Sequence, residues 1–253
     1  MNSILNLLAA LALLFMSVAK SFAAGEVPFL KRIYTNTAGG MLRYRLLLPQ
    51  NVDSSKSYPV ILFLHGAGAR GDDNEDPLNW GPRLIQESLA RDHLEAILVV
   101  PQCPKGEGWT GSSIFHRTED ALTLTLELIR DVLPKELNVD AKRRYLTGVS
   151  MGGIALWGYL SEHPGFFAAG VPVCAAGSPG TVTVAAARFP IWAFHSDDDH
   201  LVSVESEREM VKAWKSKGGV AHYTEYTGLK HSSWKKAYVD VDLFRWLLSQ
   251  KLP

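Results

Sequence analysis

The chain has 253 residues, 47% of them hydrophobic, which is enough to bury the core of one sizeable domain. Lysine plus arginine and aspartate plus glutamate number 26 each, so no net charge is available to gather nucleic acid or an anionic membrane. A neutral substrate, small or polymer-linked, suits this balance better than a polyanion.

The first residues, MNSILNLLAALALLFMSVAKSFAAGE, read as a secretory signal: an apolar stretch over 4–18, then small residues, with Ser21 and Ala23 spaced as at an A-x-A cleavage site. The stretch is short for a bilayer span, which takes about 20 residues. Cleavage after Ala23 would leave a single domain over 24–253, exported to a periplasm or the medium and carrying no membrane anchor. An oxidising compartment would permit a bond between Cys103 and Cys174. Both cysteines fall near the ends of strands that need not be neighbours, whereas a disulfide needs Cα atoms within about 7 Å, so two free thiols are expected.

From there the chain alternates strand and helix signals. FLKRIYTN (29–36) reads as an antiparallel edge strand, followed by MLRYRLLLP (41–49) and PVILFLHG (59–66). A helix is expected over 82–91, a strand in EAILVVPQ (95–102), and a helix over 117–133 with Leu122, Leu126, Ile129 and Leu133 on one face. RRYLTGV (143–149) is a strand and 151–162 a helix; AGVPVCA (169–175) and FPIWAFH (189–195) are strands. A helix over 204–217, the strand AHYTEYT (221–227) and a helix over 234–250 complete the pattern. Short connections and continuous β-branched or aromatic runs imply a mostly parallel sheet covered by helices on both faces. The irregular stretches 66–81 and 103–115 each follow a strand, where open α/β sheets bind ligands.

One junction carries chemistry. Gly148-Val149-Ser150-Met151-Gly152 is a G-x-S-x-G pattern with a strand run before it and a helix run after it. A sharp strand-to-helix turn lifts the serine hydroxyl above the sheet, beside the positive end of the helix. A hydroxyl becomes a nucleophile only when a base accepts its proton and a third group orients that base. On this topology the acid comes next in the chain and the histidine last. HSDDDHLVSVE supplies Asp197, Asp198 or Asp199, among which spacing does not choose; the run lacks the alternating pattern of a calcium loop, so no metal is assigned to it. His231, between the last strand and the last helix, is the base, since most other histidines precede or accompany the acid and His222 lies within a strand. The oxyanion requires two backbone N–H donors: Met151 after the nucleophile, and Ala67 in the glycine-rich FLHGAGARGDD. That loop has no lysine and two carboxylates, which argues against a phosphate site.

Taken together, LFLHGAGARGDD, VVPQCP, LTGVSMGG, PIWAFHSDDDHLVSVE and GLKHSSW resemble the α/β-hydrolase superfamily. The likeness is to its bacterial carboxylesterase/phospholipase and "predicted peptidase" branch, near feruloyl-esterase and polyhydroxyalkanoate-depolymerase-like enzymes, and it runs from Leu42 to Phe244. The resemblance implies an eight-stranded sheet in the order 1-2-4-3-5-6-7-8, and it selects Asp199 as the acid. Two departures stand out: Ser196 replaces the usual glycine of the acid turn, and Ala69 stands where many members carry glutamate.

The segment AGSPGTVTVAAARF (176–189) has room for little more than one short helix, so no large lid is expected and the site is open. An open site in an exported enzyme suits esters of short or aromatic acids, including acyl groups on polysaccharides, with no cofactor. Trp109 and Trp234 are candidates to stack on a substrate ring, although filling the loop core would explain them equally well. A serine peptidase, a polyhydroxyalkanoate depolymerase and a non-catalytic binding protein are the rival readings.

Overall fold

The computed structural model describes residues 27–110 and 120–253; the expected signal over 1–23 and the start of the expected 117–133 helix lie outside the described residues. Eight strands form one sheet: β1 (Leu30–Thr35), β2 (Met41–Leu47), β3 (Tyr58–Leu64), β4 (Ile97–Gln102), β5 (Val139–Val149), β6 (Ala169–Val173), β7 (Ile191–Ser196) and β8 (Ala221–Tyr226). Their spatial order is β1-β2-β4-β3-β5-β6-β7-β8. The pairs β1–β2 and β2–β4 are antiparallel, and every later pair is parallel. This is the α/β-hydrolase sheet that the resemblance implies.

The central strands are buried on both faces, and the period of two sorts their side chains into two cores. Val60, Leu62 and Leu64 of β3 meet one layer of helices, while Ile61 and Phe63 meet the other. The helices are α1 (Pro82–Arg91), α2 (Ala121–Glu127), α3 (Leu133–Glu136), α4 (Met151–Glu162), α5 (Val184–Ala187), α6 (Val204–Ser216), α7 (Trp234–Ala237) and α8 (Leu243–Ser249). Asp120 caps α2 by accepting a hydrogen bond from the Thr123 amide. The helix then widens into a π turn, Leu128–Val132, before α3. Pro134 has no N–H to give the carbonyl of Arg130, so the regular ladder is not available there.

Two short helices stand where one is expected over 234–250. The interruption falls at Tyr238, which is fully buried and whose hydroxyl lies 2.8 Å from Thr147 Oγ1 on β5. Just after it, Asp240 accepts a hydrogen bond from the Asp242 amide, a local alternative to the helical ladder. Core burial of one tyrosine thus outweighs helical periodicity. The segment between β6 and β7 holds only a 3-10 turn, Pro179–Thr181, and the single-turn α5, so it forms no large lid. Among the described residues, no helix is long and apolar enough to cross a membrane.

One face is closed by a tryptophan pair. Trp157 of α4 and Trp214 of α6 are buried with ring centroids 5.4 Å apart. Both indole N–H groups donate inside the fold, Trp214 to the Phe189 carbonyl and Trp157 to Glu207. Replacing Trp214 with alanine is expected to lower the unfolding free energy by about 3–5 kcal/mol in urea titrations; a loss below about 1 kcal/mol would mean the cavity collapses.

Candidate active site

β5 and α4 meet at Ser150, whose φ of 53° and ψ of −115° are costly for any residue with a Cβ. The strain persists because the backbone has no room to relax. A Cβ on Gly148 would lie 2.4 Å from the Gly152 carbonyl group, and one on Gly152 would lie 2.0 Å from the Leu64 carbonyl oxygen. Only glycine permits helix and strand to approach this closely. The Ser150 amide donates to the Val173 carbonyl at 2.9 Å, anchoring the turn to the end of β6. Met151 opens α4, where first-turn amides have no intrahelical acceptor and the helix dipole is positive.

The loop after β7 sorts the three aspartates by partner. Asp197 accepts a hydrogen bond from Thr227, and Asp198 accepts one from Ser196 and another from the Lys230 amide. Those two carboxylates tie this loop to the one after β8. Asp199, buried, takes the remaining role: its Oδ2 lies 2.7 Å from His231 Nδ1, and its Oδ1 accepts from the Leu201 and Val202 amides. Burial pushes the Asp199 carboxyl up, but the hydrogen bonds from His231 and the two amides outweigh it and hold the group below the usual carboxylate range. An ionised Asp199 requires the proton on His231 Nδ1, which leaves Nε2 free to act as a base.

Ser196, at the position where the family usually has glycine, is part of this clamp. Its hydroxyl donates to Asp198 and accepts from the Leu229 amide at 3.1 Å, fixing the turn Lys230–Ser232 that carries His231. The loops of Ser150 and His231 converge on Cys174, which follows β6: its thiol neighbours the Ser150 backbone and the Ser233 side chain and lies within the field of Asp199. Burial pushes that thiol up to about 12, so it remains protonated beside the serine. Cys103 and Cys174 are both free and buried. Their strands β4 and β6 are separated by β3 and β5.

The glycine-rich loop after β3 is held from below by His65, which is fully buried. Its Nε2 accepts from the Cys103 amide at 3.0 Å, so its proton sits on Nδ1, 2.7 Å from the Gly66 carbonyl oxygen. In a trans peptide the carbonyl and the next N–H point in opposite directions. Holding the Gly66 oxygen therefore sets the direction of the Ala67 N–H, which begins the turn Ala67–Ala69. Gln102 donates to the Ala69 carbonyl at 3.1 Å and accepts from the Asn74 amide, so a neutral amide braces the loop near the position where many relatives carry glutamate.

The two tryptophans singled out from the sequence part company here. Trp109 is 1% exposed, with its ring 4.8 Å from that of His65 and its indole N–H donated to the His65 carbonyl. It braces the loop core and offers no face to a ligand, which corrects the expectation of a stacking role. Trp234 is half-buried, with its ring centroid 6.2 Å from that of Trp80. Nothing in the sequence pattern singles out Trp80. A Cβ on Gly66 would lie 3.4 Å from its ring and 3.5 Å from Ser150 Cβ, so the indole and the serine flank one gap.

The profile of the alpha/beta hydrolase family matches residues 61–245. The chain belongs to that family. It is 26% identical over 182 residues to the bifunctional acetylxylan esterase/xylanase XynS20E of Neocallimastix patriciarum, a match covering 72% of this chain and 25% of that protein. It is 32% identical over 142 residues to "Probable feruloyl esterase C" of Aspergillus terreus, covering 56% and 48% respectively. The chain thus spans about a quarter and about half of these relatives. A crystal structure of a thermostable esterase superposes with a TM-score of 0.79 at 34% identity, covering 88% of this chain and 63% of that one. Among the described residues, no group of three or more His, Cys, Asp or Glu side chains is placed to hold a metal ion.

The histidine beneath the glycine-rich loop has a thermodynamic signature. Burial lowers His65 from its ordinary value to about 4, so between pH 6.5 and 4 the unfolded chain binds a proton that the native protein does not. Stability therefore falls as pH drops through that window, by up to about 3 kcal/mol from this group. Urea titrations from pH 7 to pH 4 are expected to show the loss, and His65→Asn to flatten it relative to wild type; parallel curves would place the proton elsewhere.

Proposed function

We propose that the protein is an exported serine carboxylic-ester hydrolase that acts through an acyl-enzyme on short-chain or aromatic acyl esters, including those carried by polysaccharides. The observation that carries this reading is the bond between His231 and the buried, ionised Asp199, formed at the same end of the sheet as the strained Ser150 turn. In the mechanism, Ser150 Oγ attacks the ester carbonyl while its proton passes to His231 Nε2. Asp199 keeps the imidazole aligned and stabilises its charged form. The oxyanion accepts hydrogen bonds from the Met151 and Ala67 amides. His231 returns the proton to the departing alcohol, and a water molecule, deprotonated by the same nitrogen, releases the acid and restores the serine.

Relatives named as acetylxylan and feruloyl esterases support the ester class, and the short segment between β6 and β7 supports access for a bulky alcohol component. Trp80, which flanks Gly66 together with Ser150 and has its ring centroid 6.2 Å from that of Trp234, supports a planar acyl group. The signal-like sequence pattern of residues 1–23 supports export.

Labelling by a fluorophosphonate, followed by hydrolysis of a panel graded from acetyl to lauroyl and feruloyl esters, tests the reading. Ser150→Ala is expected to lower turnover by on the order of 10⁴ or more and to abolish labelling, with the folded state unchanged; a labelled, active variant would remove the serine from the mechanism. Preference for lauroyl over acetyl and feruloyl esters would refute the substrate class. Trp80→Ala is expected to reduce the ratio of kcat/KM for methyl ferulate over p-nitrophenyl acetate about ten-fold. An unchanged ratio would exclude the indole pair from the acyl site.

A further inference from the structure

Behind Asp199 lies a second histidine that the mechanism above does not use. His195, near the end of β7, has a fully buried side chain, as do both of its acidic neighbours, Asp199 and Glu207 of α6. Its Nδ1 lies 3.1 Å from Glu207 Oε2. Its Nε2 lies 3.0 Å from the Val202 carbonyl oxygen and 3.2 Å from Asp199 Oδ2, the oxygen that also meets His231.

Every atom facing the two ring nitrogens is an acceptor. A neutral imidazole carries one N–H and one lone pair, so either tautomer would aim a lone pair at an oxygen. Glu207 is itself saturated with donors: its Oε1 accepts from the Trp157 indole and its Oε2 from the Ala175 amide, both at 2.8 Å, so both oxygens already act as acceptors. Two buried carboxylates this near each other would repel strongly in a poorly polarisable interior unless a cation stood between them.

We propose that His195 is a standing imidazolium, locked between the Glu207 and Asp199 carboxylates, and serves as a positioning residue for Asp199 and through it for His231. The series Glu207, His195, Asp199, His231 then alternates in sign when the base takes up the serine proton. Burial opposes the charged ring, yet the hydrogen bond and charge of Glu207 outweigh it and hold His195 above the ordinary histidine range. The other titratable groups around the pair are Cys174 after β6, within the field of both carboxylates, and Glu225 and Tyr223 of β8. Glu225 is ion-paired with Arg208, and Tyr223 donates to it. Neither residue supplies a cation to the space between Glu207 and Asp199.

The kinetic part of the test rests on the proposed serine-hydrolase mechanism; the spectroscopic part does not. In ¹⁵N-labelled wild-type protein at pH 8, one histidine ring is expected to carry protons on both nitrogens. Its assignment to His195 follows from loss of the signal in His195→Gln or, if that variant does not fold, from contacts with its β7 neighbours. A ring with a single protonated nitrogen at pH 8 would overturn the proposal. In folded His195→Gln, the positive charge no longer offsets the pull of Asp199 on a proton at the base. The acid limb of kcat/KM should therefore move to higher pH by about 0.5–1. A limb that stays in place would also overturn the proposal, because loss of a neutral, purely structural ring leaves the local charge as it was. Absence of fluorophosphonate labelling in wild type would instead count against the hydrolase mechanism and leave the ring measurement standing.

Discussion

A carboxylate taken out of water must have its lone pairs satisfied, and the arrangement around Asp199 follows from that requirement. Its oxygens meet two backbone amides, the ring of His231 and the ring of His195. Each contact fixes a different part of the molecule. The amides of Leu201 and Val202 shape the loop after β7, His231 brings in the loop after β8, and His195 joins the site to Glu207 on α6. Asp197, Asp198 and Ser196 complete the join by lacing these loops together. The aspartates neighbouring the acid are thus structural ties, and the clustering of three acidic residues reflects two loops being held in register.

Rigidity of the opposite wall has another origin. The turn at Ser150 is strained and close-packed, and its strain is offset by contacts that extend from Leu64 on β3 to Val173 on β6. The glycine-rich loop after β3 is fixed with equal care from beneath, through His65, Trp109 and Gln102. Backbone donors that must meet a transient charge are effective only when they do not reorganise as it forms. The polar side chains of His65, Trp109 and Gln102 each hold a carbonyl or an amide of this loop still.

Much of this architecture is legible in the amino-acid sequence, and particular residues show why. Strands such as β3 and β4 declare themselves because burial on both faces favours long apolar runs, and the glycines flanking Ser150 declare the turn because no other residue fits there. The choice of Asp199 is not written in its spacing, since it depends on which carboxylate meets an imidazole 32 positions later. A ligand-facing Trp109 is compatible with its place in a loop, yet its hydrogen bond to His65, across 44 positions, rules that role out. Trp80 gives no signal for a similar reason, because its significance lies in packing over Gly66 and Gly68. The break at Tyr238 comes from long-range burial overriding a helical pattern. Local chemistry can be read along the chain, whereas pairing between distant side chains needs the fold.

The separation of the two cysteines by a pair of intervening strands carries a consequence for how this protein comes to maturity. With both sulfurs sequestered and no covalent cross-link between them, the native state owes nothing to oxidation. It can form under reducing conditions as readily as in an oxidising envelope, without assistance from disulfide-forming catalysts, and thiol reagents would find nothing to grip until the chain unfolds.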